Sequence, residues 1–190
     1  TKVVYKDGEN ITLTPGWYDT KAKKYYKVNA DGSLYEEAEN NANDIFTVKV
    51  GSTYLRYGID YIVSYKNNNA VGKANMVLSG TGDYSGSKTA SFTITGQAFN
   101  TSNIVIGSEF KTSVMYTGMP QTQNNVTLTT KTGDSLEYGV HYTISYKNNL
   151  KKGTASMKFT AKPESGYTGS ITKTFKVTAP TLTNAVDVVA

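Results

Sequence analysis

The residues whose side chains are best suited to bind a ligand are aromatic, and they lie in one short stretch of this 190-residue chain. Between residues 16 and 35 stand the single tryptophan and four of the 15 tyrosines. An aromatic ring can stack on the apolar face of a sugar while neighbouring Asp, Asn and Lys groups bond its hydroxyls. The stretch therefore predicts a carbohydrate-binding platform made of Trp17, Tyr18, Tyr25, Tyr26 and Tyr35.

The same stretch has a second interpretation, in which its rings pack the segment onto a core, as aromatic residues more often do. Lysines at positions 21, 23, 24 and 27 form a positive patch that could meet acidic glycans or a host protein, or remain a solvated face. The oxygen-bearing side chains of Asn29, Asp31, Ser33 and Glu36 or Glu37 are spaced like the ligands of a calcium loop, but the full loop pattern is absent. No metal site is predicted.

Most enzyme chemistry is excluded by composition. The chain has no cysteine and one histidine, so thiol nucleophiles, disulfides, thiolate metal sites and His-rich metal sites are absent. His141 stands at the start of a predicted strand with no nucleophile motif nearby, and the pairs Glu36/Glu37 and Asp7/Glu9 lie in loop-like stretches. We therefore predict a non-enzymatic protein with no catalytic residue and no cofactor.

The net charge and the hydropathy of the chain argue against two classes of partner, nucleic acids and membranes. The net charge of +5 is mild and scattered, which argues against nucleic acid. No run of about 18 apolar residues is present, so no membrane insertion is predicted within this segment.

An internal repeat organises the chain. Residues 55–71, with the string Tyr65-Lys66-Asn67-Asn68, reappear at residues 136–152 with an offset of 81. The offset becomes 83 at Tyr84 and Tyr167, and it is about 110 for the first strands. The first copy therefore carries an insertion of roughly 30 residues, at about positions 13–45.

Each copy alternates apolar and polar residues with period two, and Gly and Asn separate the segments. This pattern is typical of antiparallel strands, and the strand spacing favours a two-sheet sandwich. The predicted fold is all-β, with domain 1 at 1–96, domain 2 at 97–180, and 181–190 as a tail or the start of a further module. The insertion is predicted to be a hairpin, followed either by a short helix over residues 36–43, with Ser33 and Glu36 as a capping box, or by a solvated acidic loop.

The combined motif resembles the bacterial immunoglobulin-like repeats of surface proteins from gut Gram-positive bacteria. Its parts are Leu-x-Tyr-Gly-x-Asp-Tyr-x-Val-Ser-Tyr-Lys-Asn-Asn, then Gly-x-Ala-x-Met, Tyr-x-Gly and Phe-x-Ile, over residues 46–95 and 114–178. The resemblance implies two tandem immunoglobulin-like β-sandwiches in a secreted or wall-attached protein, without shared catalytic residues. His141 departs from the family, which usually has an acidic residue there.

The insertion resembles a single choline- or glucan-binding hairpin repeat, through Gly16-Trp17, Tyr25-Tyr26 and Asp31-Gly32. Three functions follow as expectations: an adhesive unit or stiff spacer of a cell-surface or secreted protein, a carbohydrate-binding module, and a binder of a host protein such as an immunoglobulin. Other modules of the same chain are further expected partners. A buried Lys and Asn could also fuse into an isopeptide bond, for which the composition is merely permissive.

Overall fold

The computed structural model describes residues 1–6, 8–39 and 45–181. These residues form strands, turns and one 3₁₀ turn, Pro163–Ser165, and they contain no α-helix, which confirms the all-β prediction. Contacts divide the chain into two compact units, Thr1–Gly96 and Gln97–Ala190. We refer to them as unit 1 and unit 2.

Unit 1 has two sheets. Its strands in the described residues are β1 (Lys2–Val4), β2 (Thr14–Asp19), β3 (Lys24–Val28), β4 (Leu34–Ala38), β5 (Ile45–Val50), β6 (Thr53–Leu55), β7 (Tyr61–Lys66), β8 (Gly72–Gly80) and β9 (Ser87–Thr95). One sheet has the order β1-β9-β8-β7 and the other β4-β3-β2-β5-β6. Side chains from both sheets meet in one core, where Phe46 of β5 packs against the cluster that includes Ala74 and Phe92. This two-layer arrangement is consistent with a β-sandwich.

Unit 2 repeats the framework with a smaller second sheet. Its strands are β10 (Gln97–Ala98), β11 (Ile104–Ile106), β12 (Ser113–Met115), β13 (Leu128–Thr130), β14 (Ser135–Leu136), β15 (Tyr142–Lys147), β16 (Gly153–Ala161), β17 (Tyr167–Thr168) and β18 (Ser170–Thr178). The main sheets are β12-β18-β16-β15 and β11-β13-β14, and β10 pairs with β17. The core again draws on both sheets, with Leu128 from the smaller one and Met157, Phe159 and Phe175 from the larger.

Strand direction differs from the expectation. The prediction of purely antiparallel sheets is wrong for four strand pairs in the described residues, since β1–β9, β2–β5, β10–β17 and β12–β18 are parallel. These partners are far apart in sequence, so no tight hairpin forces them to run in opposite directions. Alternation of apolar residues reports which face is buried and carries no information on the direction of a neighbouring strand.

The repeated Asn-Asn pair closes each unit in the same way. Asn67 and Asn148 have left-handed backbones, with φ of 56° and 57°, which confirms the turn expected of these asparagines. The next asparagine bonds the segment after the first strand: Asn68 Nδ2 donates to Ile11 O, and Asn149 Nδ2 to Gln121 O, both at 2.9 Å. The motif therefore joins the end of β7 or β15 to a segment 57 or 28 residues earlier.

The tyrosines of the motif support the same framework. Tyr61 and Tyr142 are each 2% exposed. The Tyr65 hydroxyl accepts a hydrogen bond from Leu13 N and donates to Leu13 O, and the Tyr146 hydroxyl accepts one from Gln123 N. These contacts agree with the interpretation of the repeated tyrosines as scaffold. Tyr138, by contrast, is 66% exposed, and its ring centroid lies 6.1 Å from that of Tyr142.

The insertion is a three-stranded meander instead of a hairpin with a helix. β2 pairs with β3, and β3 pairs with β4, so that Leu34–Ala38 is a strand. The predicted helix is therefore wrong over residues 36–38, and residues 40–43 of that prediction lie outside the described part. The Ser33 hydroxyl donates to Asp31 Oδ1 and caps no helix. Main-chain pairing with β3 makes this segment a strand. Lys24 and Lys27 of β3 add cross-strand ion pairs with Glu37 and Glu36 of β4, each at 2.7 Å.

Candidate functional site

The five predicted aromatic residues are divided between positions of the meander. β2 and β3 pair in a register that places Trp17 opposite Tyr26 and Tyr18 opposite Tyr25. Residues directly opposite in an antiparallel pair share a face, and successive residues alternate faces. Trp17 and Tyr26 therefore lie on one face, and Tyr18 and Tyr25 lie on the other. Tyr35 lies at the bulge of β4 and is 52% exposed.

The face that carries Tyr18 and Tyr25 is turned to solvent. Thr47 and Lys49 of β5 are exposed and alternate with Phe46, which packs against the core. Gly16, two residues before Tyr18, is paired with Thr47, so both strands show this face together. The opposite face contains Val28 and Leu55, which are buried. We call the solvent side the outer face of the five-stranded sheet.

A row of three tyrosines crosses the outer face. The ring of Tyr18 lies between two others, with its centroid 4.5 Å from that of Tyr25 and 5.2 Å from that of Tyr54. The three rings are half-buried and tilted against each other by 41° and 58°. Loss of solvent, together with the charge and hydrogen bond of Tyr54, raises the pKa of the Tyr25 hydroxyl. The row joins apolar ring surface to hydroxyl groups.

Trp17 contacts β6 and the residue that follows it. Its indole Nε1 donates to the main-chain oxygen of Tyr54 at 3.2 Å, and the guanidinium carbon of Arg56 lies 4.5 Å from the ring centroid. A cation at that distance over an indole ring is attracted by the negative π face. The tryptophan thus packs the meander against β6, and its ring does not lie in the tyrosine row.

The lysine patch is partly neutralised. Lys24 and Lys27 are paired with Glu37 and Glu36, while Lys21 and Lys23 are exposed in the turn between β2 and β3. That turn is organised by Asp19, whose Oδ1 accepts from the main-chain N–H groups of Lys21 and Ala22 at 2.8 and 3.0 Å. The N–H of Ala22, then that of Lys21, lowers the pKa of Asp19. The patch is therefore smaller in charge than the sequence indicates.

The turn between β3 and β4 uses its polar groups internally. Asp31 Oδ1 accepts from the N–H and the hydroxyl of Ser33 at 2.9 and 2.6 Å, and Asn29 Nδ2 donates to the Ser33 hydroxyl at 2.9 Å. The hydroxyl of Ser33, then its N–H, lowers the pKa of Asp31. A search of the described residues for three or more grouped His, Cys, Asp or Glu side chains found no such group.

The same turn is fixed to the framework of unit 1. A β-carbon on Gly58 would overlap the main-chain oxygen of Ala30, and one on Gly32 would come within 2.5 to 2.6 Å of the Ile59 side chain. Gly58 also has a φ of +79°, which favours glycine. Gly139, its counterpart in unit 2, has a φ of +83° and open space around it. Glycine at 58 thus permits the meander to lie against the loop before β7.

His141 closes a turn in unit 2. His141 Nδ1 accepts from Glu137 N at 2.9 Å, where in unit 1 Asp60 Oδ2 accepts from Arg56 N at 2.7 Å. The imidazole therefore replaces the carboxylate that the repeat motif has at this position, as an acceptor that closes the same turn. None of the lysines is buried, so the buried Lys–Asn pair needed for an isopeptide bond is not formed.

Sequence reasoning missed Tyr54 and Arg56, which lie outside the insertion. Both come next to β2 because β2 adds in parallel to β5, whose hairpin partner is β6. The one signal available was the aromatic residue of β6, which has no counterpart in unit 2, where Ser135 stands.

No described helix is both long and apolar enough to span a membrane. Comparison with family models, with curated proteins and with solved structures found no match for this chain.

Proposed function

We propose that this chain is a non-catalytic tandem module of a bacterial cell-surface or secreted protein, in which two immunoglobulin-like units hold binding surfaces in place. The repeated framework supports the proposal, since both units close their cores with the same Asn and Tyr contacts. The motif resemblance to bacterial immunoglobulin-like repeats supports the location and the adhesive or spacer role.

One observation carries the binding role: the meander extends a sheet and leaves the repeated framework unchanged. β7, β8 and β9 keep the register of β15, β16 and β18, with Tyr61 paired to Gly80 as Tyr142 is to Ala161. The added strands contribute outer-face surface and two of the three rings of the tyrosine row, and they bury Val28 on the opposite face. An insertion that adds surface and keeps the register of the framework is what a recognition element requires.

We further propose that the tyrosine row binds a polysaccharide. Three adjacent rings present apolar surface on which sugar rings can stack, and the tyrosine hydroxyls supply polar groups beside it. Lys27 and Glu36, paired on the same face, add a donor and an acceptor beside the row. The row replaces the platform expected from the sequence, because Trp17 and Tyr26 lie on the opposite face.

The experiment is a titration of the whole chain with soluble glucans and bacterial wall polysaccharides. Retention in affinity electrophoresis and the fluorescence of Trp17, which contacts the main chain of Tyr54, would report binding. We expect the Tyr18→Ala variant to lose retention by tenfold or more, while Tyr35→Ala, an exposed tyrosine outside the row, binds like the parent. If no polysaccharide is retained, or if both variants retain it equally, the row is not a sugar site.

A flat result with sugars leaves the scaffold proposal open to a separate test. Incubating the chain with host secretions and recovering a defined protein, such as an immunoglobulin, would support adhesion to a host protein. If neither sugar nor protein binds, the binding role fails and the spacer role alone remains.

A further inference from the structure

Unit 2 contains a small cleft that combines an aromatic ring with amide and hydroxyl groups. It has a volume of about 230 Å³ and is lined by Asn124, Tyr138, Ile144 and Tyr146. None of these four side chains carries a formal charge. The cleft therefore offers apolar surface and neutral hydrogen-bonding groups at one place.

The cleft opens where unit 1 carries its insertion. The hydroxyls of Tyr65 and Tyr146 bond the main chain of Leu13 and Gln123, which makes the latter two residues counterparts. The whole meander lies between Leu13 and β5, whereas residues 124–127 alone lie between Gln123 and β13. This short segment, which replaces the meander, forms one side of the cleft.

The exposure of Tyr138 follows from the same difference. In unit 1 its counterpart Tyr57 is half-buried, and the adjacent Gly58 packs against the main-chain oxygen of Ala30 in the meander. In unit 2 Tyr138 is 66% exposed, and a β-carbon on Gly139 would have nothing within 4 Å. The ring of Tyr138 is therefore accessible to a ligand from solvent.

The main chain that carries this ring is nevertheless fixed. Gly139 N donates to Tyr142 O at 2.8 Å, and Lys162 Nζ donates to Gly139 O at 2.7 Å. The ring centroid of Tyr138 lies 6.1 Å from that of Tyr142, which is buried. A ring that is already held in place loses little conformational freedom when a ligand stacks on it.

Two polar groups of the cleft retain hydrogen-bonding capacity. The Tyr146 hydroxyl donates to Asn124 Oδ1 at 3.4 Å, which is longer than the usual O–H···O distance of about 2.5 to 3.0 Å. In unit 1 the Tyr65 hydroxyl donates to Leu13 O at 2.9 Å instead. Asn124 Nδ2 donates to no group among the described residues. A ligand hydroxyl, which both donates and accepts, matches these two groups.

We propose that this cleft binds one neutral sugar ring, whose apolar face stacks on Tyr138 while its hydroxyls bond Asn124 Nδ2 and the Tyr146 hydroxyl. The uncharged lining favours a neutral sugar over an acidic one, because none of the lining residues is a cation. Pockets for drug-sized ligands have volumes of about 300 to 1,000 Å³, so this smaller cleft suits a single ring. The site does not depend on the function proposed for the tyrosine row.

The experiment is an NMR titration of the whole chain with glucose, galactose, mannose and N-acetylglucosamine, and with glucuronic acid as the charged comparison. We expect at least one neutral sugar to cause saturable amide shifts at residues 124, 138 and 139, with glucuronic acid binding at least tenfold more weakly. Shifts at these residues without shifts at residues 18, 25 and 54 support this site even where the tyrosine row fails. Shifts at the row alone, or no shifts, would overturn it.

Four variants test the roles of the side chains. Tyr138→Ala should weaken binding by tenfold or more, and Tyr138→Phe, which keeps the ring, should bind within about twofold of the parent. Asn124→Ala should weaken binding at least threefold. Both positions are exposed, so the circular dichroism spectrum should stay unchanged. Tyr18→Ala, in the tyrosine row, should leave the shifts in unit 2 as they are. Parental affinity in both alanine variants of the cleft, or tighter binding of glucuronic acid than of every neutral sugar, contradicts the proposal.

Discussion

Replacing Gly58 by alanine tests how firmly the meander is fixed to unit 1. Two effects are expected. The residue has a φ of +79°, and the new β-carbon would overlap the main-chain oxygen of Ala30 in the turn between β3 and β4. A main-chain atom cannot rotate away by itself, as the end of a flexible side chain can. The whole turn between β3 and β4 therefore has to shift away from residues 57–59.

The magnitude follows from these two terms. A left-handed backbone costs a non-glycine residue about 1 to 2 kcal/mol. Forcing an atom into a packed contact adds about 1 to 3 kcal/mol. Gly58→Ala should therefore lower the free energy of unfolding of unit 1 by about 2 to 5 kcal/mol. Gly139→Ala in unit 2 has the first term alone, since nothing lies within 4 Å of its added β-carbon.

The assay is urea unfolding followed by the emission of Trp17. Because this is the only tryptophan and lies in β2, its emission reports unit 1. Gly58→Ala should move that transition to lower urea, while Gly139→Ala should leave it in place and shift only the circular dichroism signal of unit 2. The reasoning is refuted if the two variants move the tryptophan transition equally, or if Gly58→Ala costs no more than the backbone strain.

Three other expectations can be measured with the same tryptophan transition. Tyr61→Phe removes an unpartnered buried hydroxyl and should raise the free energy of unfolding by about 1 kcal/mol. Burial raises the pKa of Tyr61 above its ordinary value of 10.0. The stability that its neutral form contributes is therefore complete below about pH 10 and is lost as the pH rises further. In Tyr61→Phe this contribution to the loss of stability at alkaline pH should be absent. Asn68→Ala removes the bond to Ile11 O and should cost about 1 kcal/mol, whereas alanine at the exposed neighbour Asn69 should cost little.

Much of the framework was readable from the sequence, because the repeat is strong and its residues act locally. The left-handed Asn67 and Asn148, the alternation of β7 and β8 and the position of the insertion all follow from residue type and spacing. The helix was not formed over residues 36–38, since a capping pattern is a weak local preference. Main-chain pairing with β3 outweighs it.

Only part of the candidate site could be predicted from the sequence. Period-two alternation already separates Trp17 from Tyr18, but the register that puts Tyr18 beside Tyr25 depends on the turn at residues 20–23. Tyr54 could not be assigned to the row, because a parallel contact between β2 and β5 leaves no pattern in the residues of either strand. Long-range pairing of this kind is decided by packing, which a local pattern does not record.

The way β5 and β13 are covered has a consequence for solubility. In unit 1 the main-chain groups along one side of β5 pair with β2, which follows the first strand of that unit. In unit 2 those of β13 are taken by β11, which precedes the equivalent first strand. An uncovered strand side is a template on which other molecules can aggregate. Two unrelated stretches of sequence thus provide the same safeguard, and an engineered chain that loses either one would need a substitute shield.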